Sequence, residues 1–126
     1  PVTITATPTA GGAPLSYTFT VTDWFINNGG TEMTWSDAAN WCTNQSATQP
    51  TLAQLTQGSN TRGVGSLWSE WGPMGIYSSS GFLSSYYWTS EADDIGYHYR
   101  VNLYRSNVYS DNDDSANFYV VCRQGL

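Results

Sequence analysis

The chain contains no lysine, and its four arginines face ten acidic residues, for a net charge of −6. A surface of that sign repels phosphate, which argues against nucleic acid or anionic membrane as a partner. Histidine is nearly absent as well. With His98 alone, neither a histidine metal cluster nor a Ser-His-Asp triad has material to draw on. No Gly-rich phosphate loop and no GxSxG occurs. Glu70 and Glu91 lie in separate segments, without a spacing that points to a glycosidase carboxylate pair. No apolar run approaches the ~18 residues of a membrane-spanning helix. The two cysteines, Cys42 and Cys122, form no CxxC. That usage argues for a structural disulfide in an oxidising compartment, with two buried free thiols as the alternative.

What is present describes a single domain of 126 residues, long enough to bury a core. Only 11% of residues are charged, so solubility rests on Ser, Thr, Asn, Gln and Gly, a composition common in secreted and cell-surface β-rich domains. Aromatics make up 15%, with six Trp and nine Tyr. The chain opens at Pro1 without Met or a signal-like segment, which reads as a piece of something longer.

The opening residues alternate: Val2, Ile4 and Ala6 on one face and Thr3, Thr5 and Thr7 on the other, the pattern of a half-buried strand. After a Pro/Gly loop, Tyr17, Phe19 and Val21 oppose Thr18, Thr20 and Thr22 in a second strand, and Asn27-Asn28-Gly29-Gly30 supplies a turn. Residues 1–22 fit either the first strands of this domain or the tail of a preceding β-sandwich. The period then changes. Trp35, Ala38, Ala39 and Cys42 share one face of a helix that Thr34 caps, which points Cys42 inward. A second short helix follows Pro50, where Thr51 and Gln54 have capping-box spacing, Leu52 and Leu55 face the core, and Gly58 ends it.

Six glycine and proline residues punctuate positions 59–85, which makes a sustained helix or strand improbable and predicts a long structured loop anchored by Trp68 and Trp71. The last third predicts strands at 86–90, 97–103, 107–110 and 118–123, joined by EADDIG, LYRSN and DNDDSAN. The fold class is α+β, with two short helices early and a mostly antiparallel sheet late.

These residues carry a resemblance. Thr34, Trp35, Ala38 and Cys42 in a first helix, a long irregular loop, YYWTS and FYVVC together resemble the C-type-lectin-like fold. That resemblance implies the pairing Cys42–Cys122. More narrowly, WFINNGGTEMTWSDAANWC, PTLAQLT, TRGVGSLWSEWG, YYWTSE and NFYVVCRQ look like the C-terminal tip domain of the intimin/invasin family of bacterial outer-membrane adhesins. A related group of bacterial surface domains shares MTWSDAANWC, YYWTS and YVVCR. The resemblance implies a lectin-like domain over residues 15–126, with residues 1–14 as a strand or junction to a preceding immunoglobulin-like domain. It further implies a monomeric tip on the bacterial cell surface.

Sugar-binding members of the wider fold hold calcium through Glu-Pro-Asn or Gln-Pro-Asp in the long loop, and no such tripeptide occurs here. The oxygen-rich run Asp111-Asn112-Asp113-Asp114 reads as a solvated turn, so neither metal nor cofactor is expected. Formylglycine-generating enzymes share a variant of the fold, but their chemistry needs cysteines that the disulfide would consume. The expectation is a non-enzymatic domain that binds a host cell-surface protein, with a glycan as the alternative ligand and a diversified display protein as a further class. Candidate contact residues are Asp93, Asp94, Tyr97, Tyr104, Arg105, Tyr109, Asp111, Asp113 and Asp114, which combine exposed acids with the Tyr and Arg that dominate protein interfaces.

Overall fold

The computed structural model describes residues 1–77 and 79–125. Its first helix, α1 (Trp35–Asn44), begins where the sequence supplies a cap: the Thr34 hydroxyl accepts the Asp37 amide, and the Asp37 carboxylate sits in the positive first turn. Ala38 and Cys42, one turn apart, are its buried residues. In α2 (Leu52–Leu55), the Thr51 hydroxyl accepts from the Gln54 amide at 3.2 Å and the Gln54 side chain accepts from the Thr51 amide at 3.0 Å. The Glu91 carboxylate accepts the Leu52 amide at 3.0 Å, a further orphan donor of that helix end.

The long central segment contains more order than its glycines suggested. A third helix, α3 (Leu67–Trp71), is followed by a 3-10 turn at Met74–Ile76. The glycines bracket α3 rather than interrupt it: Gly65 precedes it, and Gly72 stops it at φ 71°, where an added Cβ would meet the Arg62 guanidinium at 2.7 Å. Trp68 anchors this segment in the core, at 4% exposure, but Trp71, expected beside it, is 62% exposed. Trp71 is the last residue of α3, where Gly72 turns the chain away.

Among the described residues the strands form three antiparallel sheets. β1 (Val2–Ala6) pairs with β2 (Leu15–Phe19), β3 (Asp23–Asn27) with β7 (Val121–Gly125), and β4 (Tyr86–Asp94), β5 (Tyr97–Asn102) and β6 (Val108–Asn112) form a meander in that order. Glu91–Asp94, expected in a loop, continue β4 across register breaks between Trp88 and Ala92 and between Ala92 and Asp94. Residues just before β7 join the sheets: Phe118 bridges Met33, and Tyr119 bridges Tyr87 in parallel.

Neighbouring residues of β4 point to opposite faces and so serve two cores. Tyr87, with Val101 and Leu103, packs among Leu55, Leu67, Trp68, Met74, Phe82 and Val121. Trp88 packs among Ala38, Cys42, Val120 and Cys122 and donates its indole N–H to the Met33 carbonyl at 2.9 Å. Cys42 and Cys122 form the disulfide, with Cα atoms 5.5 Å apart across a sequence separation of 80.

The N-terminal hairpin differs from its expected half-burial. Every residue of β1 is exposed, and Ile4, Leu15 and Tyr17, on one face, remain 59%, 74% and 68% accessible. Alternation sets which residues share a face, but a two-stranded ribbon has no second layer to cover it. Because Ala6 pairs with Leu15, residues on both sides of the 14/15 position belong to one hairpin.

Closing a loop of that length restricts the unfolded chain, so Cys42→Ser/Cys122→Ser is expected to cost about 2–5 kcal/mol. Urea unfolding with and without reductant checks this. Reductant should lower the wild-type midpoint and leave the double variant unmoved, and an unchanged wild-type midpoint would contradict it.

Candidate binding surface

The β4–β5–β6 sheet extends beyond the core at one end, and its polar side chains there are tied to one another. Tyr99 and Ser110 stand opposite each other on β5 and β6. Their hydroxyls donate to the two oxygens of Asp93 at 2.8 and 2.7 Å. The Ser110 hydrogen bond, then that of Tyr99, holds the Asp93 carboxyl below the usual aspartate range, and the same contact raises the Tyr99 hydroxyl.

On the opposite face, His98 shares a register position with Asp111. Its Nδ1 lies 2.8 Å from the Asp113 carboxylate, and its ring stacks on Trp35 at 3.7 Å between centroids. The start of α1 thus covers the ring. Trp35 is itself fixed, donating its indole N–H to the Thr89 carbonyl at 2.8 Å and its amide to the Asp113 carbonyl at 3.1 Å. The Asp113 amide donates to Gly96 at 2.8 Å, so the turns after β4 and β6 are bound together.

The nine sequence-level candidates fall into separate groups. Asp93, Asp94, Tyr97, Asp111, Asp113 and Asp114 gather at the Gly96 end of the meander. Tyr104 and Arg105 lie in the β5–β6 turn at its opposite end, where the Arg105 guanidinium sits 5.7 Å from the Tyr104 ring. Tyr109 lies between, opposite Arg100 and 56% exposed. Two acids of the DNDD run, Asp111 and Asp113, have local partners for their carboxylates. Asp111 accepts the Asn112 amide, Asn112 accepts those of Asp114 and Ser115, and Asp113 holds His98.

Arg100 was not among the candidates, yet it organises the middle of this face. Its guanidinium lies 3.9 Å from the centre of Tyr86, 4.6 Å from Phe118 and 5.5 Å from Tyr109, with Nε 3.5 Å from Asp111. The last separation makes an ion pair without an aligned hydrogen bond, and Nε has no other partner. The Arg-Tyr alternation of β5 was visible in sequence. The register that sets Tyr109 opposite Arg100 was not, because the bulges of β4 and the turn lengths decide it.

With one disulfide, an early helix pair and a final strand that returns to pair with β3, the architecture is that of a C-type-lectin-like domain. A crystal structure of invasin, a bacterial integrin-binding protein, matches it with a TM-score of 0.80 at 21% identity, over 98% of this chain and 25% of that one. The inverse autotransporter adhesin YeeJ of Escherichia coli (strain K12) is 42% identical over 101 residues, which is 79% of this chain and 4% of that protein. The chain thus spans a small part of either relative. No family model matches it. The chain belongs to the intimin/invasin family as one of its lectin-like domains, and its place is the bacterial cell surface.

Tyr99→Phe should raise the Asp93 pKa toward its ordinary value of 3.8. A folded carboxyl held below that value adds stability above it, and the contribution disappears as pH falls through the lowered value. Carboxyl-resolved NMR titration of both proteins checks this, and superimposable Asp93 curves would refute the contact's role.

Proposed function

We propose that the domain is a non-enzymatic receptor-binding tip of a surface adhesin, and that it attaches to a host cell-surface protein through the Gly96 end of the β4–β6 meander. The observation that carries the reading is convergence: six candidate residues meet there, and Asp93 and Asp113 are already held by Tyr99, Ser110 and His98. Side chains ordered before contact lower the entropic cost of association. Five of the six are acidic, so a basic patch on the partner would be steered toward them. Membership in an adhesin family supports attachment as the task, and YeeJ is named as an adhesin. In this reading residues 1–14, with the uncovered Ile4, are a strand at the junction with a preceding immunoglobulin-like domain. The remainder is the lectin-like domain, working as a monomer.

Binding of the oxidised chain to cultured epithelial cells tests the assignment. Tyr97→Ala combined with Asp94→Asn should weaken binding about tenfold or more, the loss of an interface anchor. Tyr104→Ala with Arg105→Ala, at the opposite end, should leave it unchanged. Added salt should slow association. The reverse ranking of the two variants would move the site, and binding abolished by free sugars or a chelator would replace the protein receptor with a glycan.

A further inference from the structure

Strand β6 is the outer strand of the β4–β5–β6 meander, and its backbone hydrogen-bonding capacity is only partly used. The Asn102 amide donates to the Asn107 carbonyl at 2.9 Å, so hydrogen-bonded pairs recur at every second residue along β5 and β6, at Arg100↔Tyr109 and His98↔Asp111. The N–H and C=O of the alternate residues, Val108 and Ser110, therefore point away from β5. The other side of β5 has the complementary parity. There the Leu103 amide donates to the Ser85 carbonyl at 2.8 Å, which turns the backbone groups of Val101 toward β4 rather than β6.

An open edge of this kind invites another strand, and proteins ordinarily blunt it with proline, lysine, a bulge or a covering segment. The outer edge of β4 is covered: Trp88 donates to the Tyr119 carbonyl at 3.2 Å, Tyr119 to the Tyr86 carbonyl at 3.0 Å, and Ser90 to the Pro50 carbonyl at 2.8 Å. On β6, among the described residues, no backbone group bonds to the outward groups of Val108 or Ser110. The strand has neither proline nor lysine, and its register with β5 runs unbroken from Val108 to Asn112. Val108 packs against the core, so the edge is held in place. No residue of 1–22 bonds to the meander, so the edge is independent of the N-terminal hairpin.

The side chains along this edge define what fits it. Tyr109 and Asp111 stand on one face, the first 56% exposed and the second the only charge of the strand. Ser110, on the other face, is bonded to the Asp93 carboxylate. A second copy of the chain would bring its own net charge of −6 to this acidic edge, which disfavours it as the occupant. We infer that the outer edge of β6 receives an extended, basic segment of the partner protein as an added strand, with a Lys or Arg of that segment beside Asp111 and an aromatic or β-branched side chain against Tyr109. Main-chain bonds to Val108 and Ser110 then supply affinity, and the alternating side chains supply selectivity. The inference rests on the receptor-binding reading and deepens it by naming the form in which the partner docks.

Ser110→Pro and Ser110→Ala test it in the oxidised 126-residue chain on cultured epithelial cells. Both lose the hydroxyl that holds Asp93, but only proline also removes the outward N–H, at an edge position where the β5 ladder does not use it. Ser110→Pro should bind about tenfold or more weakly than Ser110→Ala. Equal binding of the two overturns strand addition, and continued weakening by Tyr97→Ala with Asp94→Asn then leaves the receptor reading standing without it. Loss with Ser110→Pro but not with that pair supports strand addition and moves the receptor surface off the Gly96 end. Hydrogen exchange of the wild-type chain, with and without epithelial-cell membranes, gives a readout that needs no variant. The Val108 and Ser110 amides should exchange fast in the free chain and slowly on the membranes, whereas those of Tyr109 and Asp111 are slow in both. Unchanged exchange at Val108 and Ser110 refutes the inference, as does slowing that follows chain concentration alone, which would give the edge to a second copy.

Discussion

The attachment of α1 to the last strand is the constraint on which the rest of this fold depends. Cys42 and Cys122 supply its covalent part, but the surrounding contacts show how much converges there. Met33 and Thr48, on either side of α1, form bridges to Phe118 and Arg123, on either side of Cys122. Trp88 fills the space between helix and strand with no exposed surface, its ring edge-on to Phe118 at 5.0 Å. Because β3 and β7 pair with each other, the intervening 28–120 segment is closed into a loop at its base. The meander that carries the candidate receptor surface grows from that closed base through β4.

Much of this was legible because the local chemistry was unambiguous. The caps of α1 and α2 are short-range hydrogen bonds between residues three apart, and Thr34, Thr51 and Gln54 make the contacts their spacing implies. The inward direction of Cys42 followed from helical period. Where the reading missed, the deciding interaction lay elsewhere in the chain. Glycine density hid α3, since Gly65 and Gly72 set its ends without entering it. The alternation of β1 gave the correct face pairing with β2 but could not say whether a second layer exists. His98 sat in the expected strand, and only the tertiary position of α1 brings Trp35 over it.

The candidate surface shows the same division. Which residues are acidic and aromatic is a property of the sequence; which of them meet depends on strand register. The lengths of β5 and β6 separate Tyr104 and Arg105 from Asp93 and Asp113, although all lie within 93–113, because the two groups stand at opposite ends of those strands. Arg100 was overlooked because a lone arginine in a strand reads as a solvated charge, whereas here three rings surround it.

The scarcity of cations with which the sequence opens acquires a structural meaning from where the four arginines go. Arg123 holds Asp23 across the β3–β7 pair and lowers its pKa, so that pair supports the fold above the ordinary aspartate range and releases it as pH falls below. Arg62 donates to the Ser69 and Glu70 carbonyls and steadies the approach to α3. Arg100 is enclosed by aromatic rings beside Asp111. Among the described residues the Arg105 guanidinium has no acidic or carbonyl partner, and it stands at the end of the meander away from the clustered acids. Three of four positive charges therefore serve the scaffold, while most carboxylates stay at the periphery. An acidic face at the Gly96 end follows from that allocation: the fold has consumed the charges that would otherwise neutralise it.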